Sequence, residues 1–203
     1  MFVVFLAGGI ASGKSSVARM MCELGARRLD LDDLSRELTC PGSDLVGHVA
    51  RAFGSDVIDS DGALDRVRLA QRAFATPEDA ARLEDIMIPA ILDRLEQALT
   101  FDPCTGADDG VVVVEVPLLD RMGERRGLAD RVVLVDAPDD VRRARAIERG
   151  MDAADVDARL ANQPSRSWLL EHVDDVIAND GTPEELEGRV RTWWHEHVGG
   201  GAA

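Results

Sequence analysis

The sequence predicts a three-layer α/β/α fold around a mainly parallel sheet, and three observations lead there. Strand-like runs rich in apolar residues recur at Phe2 to Leu6, Val111 to Val116 and Arg131 to Asp136, as in strands buried on both faces. Segments with apolar residues at helical spacing separate them, which makes the strands parallel and lays helices over both faces. The first run leads straight into Gly8-Gly9-Ile10-Ala11-Ser12-Gly13-Lys14-Ser15, which fits the phosphate-loop pattern G-x-x-x-x-G-K-[ST].

The elements follow in chain order. After the loop, Val17, Met20, Met21 and Leu24 mark one helix face, with Gly25 as its C-terminal cap. Ala26 to Leu31 reads as a second strand, followed by helical patterns near 33–39, 43–53 and 66–75. A longer helix begins at Pro77 with Thr76 as N-cap, and Pro89 is expected to interrupt it. Pro117 ends the third strand, and a charged, arginine-bearing helical region runs from Pro138 to Asn162. Val173 to Ala178 is a short fifth strand, completing a five-stranded sheet. Thr182-Pro183-Glu184-Glu185 forms a capping box for a last helix that turns Leu186, Val190, Trp193 and Trp194 to one side. The expected organisation is a nucleotide-binding core of residues 1–32, 106–138 and 166–198, a helical substrate insertion at 33–105, a short helical lid at 139–165, and a disordered tail at 199–203. Gly106 to Gly110 reads as a surface loop.

Composition bounds the function. A chain of 203 residues fits one globular domain with insertions. No apolar run approaches the ~18 residues that span a bilayer, and the first residues lack a basic n-region, so a cytoplasmic protein is expected. The net charge of −15 opposes general affinity for nucleic acid or anionic lipid. Any phosphate ligand must therefore be held by a local cluster of donors. Cys22, Cys40 and Cys104 are widely spaced and unpaired in pattern, which points to reduced thiols. The oligomeric state is left open, with a monomer as the default.

Of the 23 basic residues only Lys14 is a lysine. A chain that uses arginine everywhere else keeps lysine where a compact ammonium matters, at the β/γ-phosphates of a bound nucleotide. The loop glycines let the backbone approach phosphate oxygens, backbone N–H groups and the helix end cradle the anion, and the Ser15 hydroxyl would ligate Mg²⁺. The fold is accordingly that of a P-loop NTPase.

Asp30 and Asp32 lie two apart at the end of the second strand and are expected to face one side, beyond the edge where open α/β sheets bind ligands. Asp32 can accept a proton from an attacking hydroxyl or orient metal-bound water, while Asp33 reads better as a helix cap. Arg145 and Arg149 share a helix face four residues apart, an arrangement that repels unless an anion lies between them. The bland alternative for this helix, which also carries Arg142 and Arg143, is pairing with Asp139, Asp140 and Glu148. Glu115 could hold Mg²⁺ through water or face solvent at a sheet edge. His195 and His197, with Trp193 and Trp194, read as structural.

The ordered motif set resembles the dephospho-CoA kinases. It comprises GGIASGKSS at the loop, Asp30-x-Asp32 followed by Arg36, Pro41-Gly42, Phe53-Gly54, and Asp61-Gly62-x-Leu64-x-Arg66-x-x-Leu69 with Phe74. Beyond these lie Pro117-Leu118-Leu119, Arg145-x-x-x-Arg149, Gln163 with Arg166, and Asp174-Asp175-Val176-Ile177 with Asn179 and Gly181. The resemblance implies transfer of the ATP γ-phosphoryl group to the ribose 3′-hydroxyl of dephospho-CoA, with Mg²⁺, on a core carrying a CoA domain and a lid. By position it implies ATP binding by Gly9, Ile10, Ala11, Ser12, Gly13, Lys14, Ser15, Ser16, Arg145 and Arg149. It makes Asp32 the base, and has Asp30, Asp32, Arg36, Phe74, Pro117 and Leu118 hold the acceptor. The chain departs from the family at Ala11 (glycine in most members), Ile88 (histidine), Arg121 (glutamate) and Arg142 (glutamine). A kinase for a sugar or nucleotide, or a nucleotide-binding protein that has lost transfer, are the alternatives. Asp32 and Arg145 separate them, because binding alone needs neither.

Overall fold

The computed structural model describes residues 1–100 and 110–199. Cys104, most of the Gly106 to Gly110 loop and the tail from 200 onward lie outside the described residues. The chain forms two compact units, one of Met1–Asp30 with Gly106–Ala203 and one of Leu31–Thr105.

The first unit is built on a five-stranded sheet with β1 at Phe2–Ala7, β2 at Arg27–Asp30, β3 at Val111–Glu115, β4 at Arg131–Asp136 and β5 at Asp175–Ala178. Its order is β2-β3-β1-β4-β5 and every pairing is parallel. The central strands β3, β1 and β4 are the ones whose sequences are dominated by apolar residues, as burial on both faces requires, with charge confined to strand ends. On one face α1 (Lys14–Glu23) lies over the sheet, and α9 (Pro183–His197) packs against both α1 and β5. Val4, Leu6, Val17, Met21, Val113, Val133, Ile177, Val190 and Trp193 form the core between these layers. Thr182 closes its capping box with Glu185 and starts α9 as expected. Its last turn is structural: the His197 ring stacks on Trp193 at 4.8 Å between centroids. The remaining helices of this unit are α6 (Asp139–Glu148), α7 (Ala153–Ala161) and α8 (Arg166–Glu171).

The second unit is helical, with α2 (Leu31–Leu38), α3 (Asp44–Phe53), α4 (Arg66–Ala73) and α5 (Pro77–Thr100). Helix α5 packs against the other three. It starts at Thr76, whose hydroxyl accepts the Asp79 N–H at 3.1 Å. It runs unbroken through Pro89, contrary to the expected interruption. The lost hydrogen bond at an exposed turn is outweighed by the face that buries Leu92, Leu95 and Leu99. A single antiparallel bridge, Ile58 to Leu64, is the strand-like pairing described there.

Two boundaries differ from expectation at one junction. The second strand stops at Asp30, and α2 begins at Leu31 instead of residue 33. Leu31 and Leu34 are both buried, three apart, and this pulls the segment into helix. Asp33 therefore does not cap α2. It sits in the first turn and accepts a hydrogen bond from Arg36.

Candidate active site

The loop between β1 and α1 meets the demands of an anion cradle. Gly8 has φ of 145°, and a Cβ there would lie 2.7 Å from both the Ser12 hydroxyl and the Val135 carbonyl. Gly13 has φ of 101° and precedes the first turn of α1. A Cβ on Gly13 would collide with the Asn179 amide at 2.2 Å. No side chain caps α1, and its first turn holds no acidic residue, an arrangement that suits an anion at the positive helix end. Lys14, half-buried, lays its ammonium over the loop, donating to the Gly8 carbonyl at 2.6 Å and the Gly9 carbonyl at 3.1 Å. It stands at the loop and does not turn into the core.

Ala11 takes φ of 54°, and it is the non-glycine residue with a left-handed backbone among the described residues. A β-carbon in this region costs about 1–2 kcal/mol, partly offset by the extra chain entropy glycine loses on folding. Ala11→Gly is therefore expected to stabilise the protein by about 0.5 kcal/mol. Urea denaturation reads this directly, and a lower midpoint for the variant would contradict the strain.

Beside the loop, the Ser15 hydroxyl donates to Glu115 Oε2 at 2.7 Å. Glu115 is 5% exposed, so it does not face solvent, and β3 lies inside the sheet between β2 and β1. Arg28 Nη2 lies 2.6 Å from Glu115 Oε1 and 2.8 Å from Asp30 Oδ2. Among the described residues no group of three or more His, Cys, Asp or Glu could hold a metal by itself. Mg²⁺ is held by few protein oxygens together with substrate phosphates, and the hard-oxygen pair of Ser15 and Glu115 fits that habit. Pro117 borders Gly8 and Gly9 in a small crevice shared with Gln163 and Leu169. Leu118 precedes the one-turn helix Leu119–Arg121.

The arginine helix α6 divides its charges. Arg142 pairs with Asp139 at 2.5 Å and donates to Gln163 Oε1 at 3.2 Å. That same oxygen accepts the Ile10 N–H at 2.9 Å. Arg143 clasps Asp157 of α7 through two hydrogen bonds, which hold the Asp157 carboxyl below its ordinary range. Arg142 meets one of the carboxylates expected of a paired helix face, while Arg143 takes its partner from α7 and not from Asp139, Asp140 or Glu148. The Arg145 guanidinium donates to the Asn179 carbonyl at 3.1 Å and to Asn179 Oδ1 at 3.4 Å. Buried Asn179 also donates to the Ser12 carbonyl at 2.7 Å. Arg145, Arg149 and Arg19 line a cleft of 220 Å³ with Ala11, Gly13 and Ser16. Cationic lining at the loop of a chain this acidic is the local donor cluster a polyphosphate needs. Asn179, which ties Arg145 to the loop, and Gln163, which ties Arg142 to it, carry no chemical signature and are visible in sequence only through the family resemblance.

In the second unit, Asp32 is exposed in the first turn of α2. The alternation that would set Asp30 and Asp32 on one strand face ends with β2 at Asp30. Arg36 is exposed and paired with Asp33. Phe74 follows α4 and is 72% exposed. It borders an apolar recess of 170 Å³ with Leu64, Leu69, Leu83 and Met87.

A parallel sheet in this order, with a glycine loop, a lone lysine and a cleft of arginines at the first strand's end, defines a P-loop kinase. The dephospho-CoA kinase family model matches residues 2–185. The dephospho-CoA kinase of Corynebacterium jeikeium is 40% identical over 195 residues, covering 96% of this chain and 98% of that protein. The dephospho-CoA kinase of Streptomyces avermitilis is 40% identical over 199 residues, covering 98% and 95%. The crystal structure of TT1252 from Thermus thermophilus superposes with a TM-score of 0.76 at 29% identity, over 97% of this chain and 98% of that one. The chain belongs to the dephospho-CoA kinase family.

Proposed function

We propose that this chain transfers the γ-phosphoryl group of ATP to the ribose 3′-hydroxyl of dephospho-CoA, giving coenzyme A and ADP. The observation that carries the reading is the phosphate loop with Lys14 at its mouth and Arg145 fastened to it through Asn179. The backbone from Gly9 to Ser16 and the Lys14 ammonium would receive the phosphates, and Arg145 and Arg149 would balance their charge from the other side of the cleft. Ser15, braced by Glu115, would hold Mg²⁺, which supplies further neutralisation of the phosphates. Asp32 would take the proton of the acceptor hydroxyl, and Asp30, Arg36, Phe74, Pro117 and Leu118 would hold the acceptor. The proposal includes a cytoplasmic setting and small-molecule partners. Among the described residues no helix is long and apolar enough to cross a membrane.

A coupled ADP-release assay with dephospho-CoA, gluconate and nucleoside monophosphates tests the acceptor. Turnover is expected with dephospho-CoA. Turnover confined to another acceptor would reassign the substrate, and nucleotide binding without any turnover would favour a binding protein. Asp32→Asn is expected to lower kcat about a hundredfold, as loss of a general base does, with ATP affinity retained. Equal losses in both would give Asp32 a structural role.

A further inference from the structure

We infer that Arg28 is a positioning residue for the metal side of this site. Its guanidinium stands as a built-in counter-cation between Asp30 and Glu115, and it sets how tightly a divalent ion binds beside Ser15. The inference rests on the reading of Ser15 and Glu115 as that metal side.

Strand pairing makes the juxtaposition unavoidable. Asp30 of β2 and Glu115 of β3 are direct register partners, and like charges placed opposite one another in a sheet repel. Glu115 is also nearly buried, with its side chain 6% exposed. A buried carboxylate without a cation is costly. Arg28 lies two residues before Asp30 on the same strand face, and one nitrogen of its side chain reaches both carboxylates, at 2.8 and 2.6 Å. The other Glu115 oxygen is taken by the Ser15 hydroxyl at 2.7 Å. The carboxylate is thus held by a hydrogen bond at one oxygen and by the attraction of a positive charge at the other.

A divalent cation arriving at Ser15 would meet that charge and share the Glu115 carboxylate with it, one oxygen facing each. Arg28 has room to yield: β2 is an edge strand and the Arg28 side chain is 41% exposed. Metal binding therefore sets a second cation beside the first. Arg28 keeps the two carboxylates apart and oriented when no metal is bound, and it weakens metal binding through repulsion. Ser15 still holds Glu115 when Arg28 is removed, so the electrostatic effect outweighs the loss of orientation.

Titration of the full chain with Mn²⁺ alone, followed by electron paramagnetic resonance, reads this without reference to catalysis. Arg28→Gln is expected to bind Mn²⁺ roughly five- to tenfold more tightly than the parent, from relief of charge repulsion in a partly solvated site. Arg28→Lys, which keeps the charge, is expected to restore affinity close to the parent's. Thermal unfolding gives a second readout: Arg28→Gln should melt lower than the parent without metal and gain more on adding Mn²⁺. A merely structural arginine would lower the melting temperature and leave the gain unchanged. Mn²⁺ affinity of Arg28→Gln equal to or weaker than the parent's overturns the role of Arg28, as does absence of detectable binding. Glu115→Gln, or Ser15→Ala should that variant not fold, separates the two layers of argument. Loss of Mn²⁺ binding there with no effect of Arg28→Gln leaves the metal-side reading standing and removes Arg28 from it. Insensitivity to Glu115 and Ser15 removes both.

Discussion

Lys14→Ala is expected to lower kcat by about a thousandfold, where the range for one preorganised donor in acyl transfer meets that for one cation in phosphoryl transfer. The ammonium touches the carbonyls of Gly8 and Gly9, within the loop that the uncapped start of α1 completes. A nucleotide would offer the same group phosphate oxygens instead. Lys14→Arg is expected to recover little of the loss. A planar guanidinium is larger and directional, and the space over the loop is already narrowed by the Arg142 guanidinium, which a Cβ on Gly9 would strike. Steady-state kinetics with ATP and dephospho-CoA decide the matter. Turnover of Lys14→Ala within a few-fold of the parent, in protein that melts normally, would contradict the role.

What was legible in the sequence was local. The strand, glycine loop and helix at residues 2–24 repeat short patterns whose chemistry depends on neighbours in sequence, and the Thr182 capping box is complete within four residues. Asp33 does not cap a helix, and the strand alternation expected to relate Asp30 to Asp32 stops at Asp30, because the strand pattern extends one residue too far. The buried Leu31 and Leu34 settled that junction as helix, a tertiary preference that propensity does not contain. Pro89 failed as a breaker for the same reason. Glu115 stayed ambiguous because the burial of a strand's last residue depends on which strands flank it, and β2 and β1 both do. Arg28, Gln163 and Asn179 were beyond reach of spacing altogether. Asn179 meets Ser12 across 167 residues and Gln163 meets Ile10 across 153. An amide or a surface arginine announces nothing until the fold supplies its partner.

Arg145→Ala is the second large effect, expected to cost kcat several hundredfold while changing ATP affinity much less. An arginine that meets the transferring phosphoryl contributes most where charge develops, in the transition state. Its placement is not that of a solvated surface group. Asn179 accepts from it twice, once at its backbone carbonyl and once at Oδ1, and through its own amide grips the Ser12 carbonyl, so loop and arginine are set by one buried residue. Arg149, four residues on, shares the cleft, and two guanidinium groups stacked in this way repel by a few tenths of a kcal/mol until an anion lies between them. The arrangement is most favourable with polyphosphate in place. Arg145→Lys should recover part of kcat, because it keeps the charge and loses the fork. Asn179→Ala should lower kcat as well, since Arg145 loses its side-chain acceptor and the tie to the Ser12 carbonyl is cut, while the backbone carbonyl and the charge of Arg145 remain. Single-turnover kinetics at saturating ATP separate these effects from binding. A loss confined to KM would mark Arg145 as a nucleotide anchor with no part in transfer.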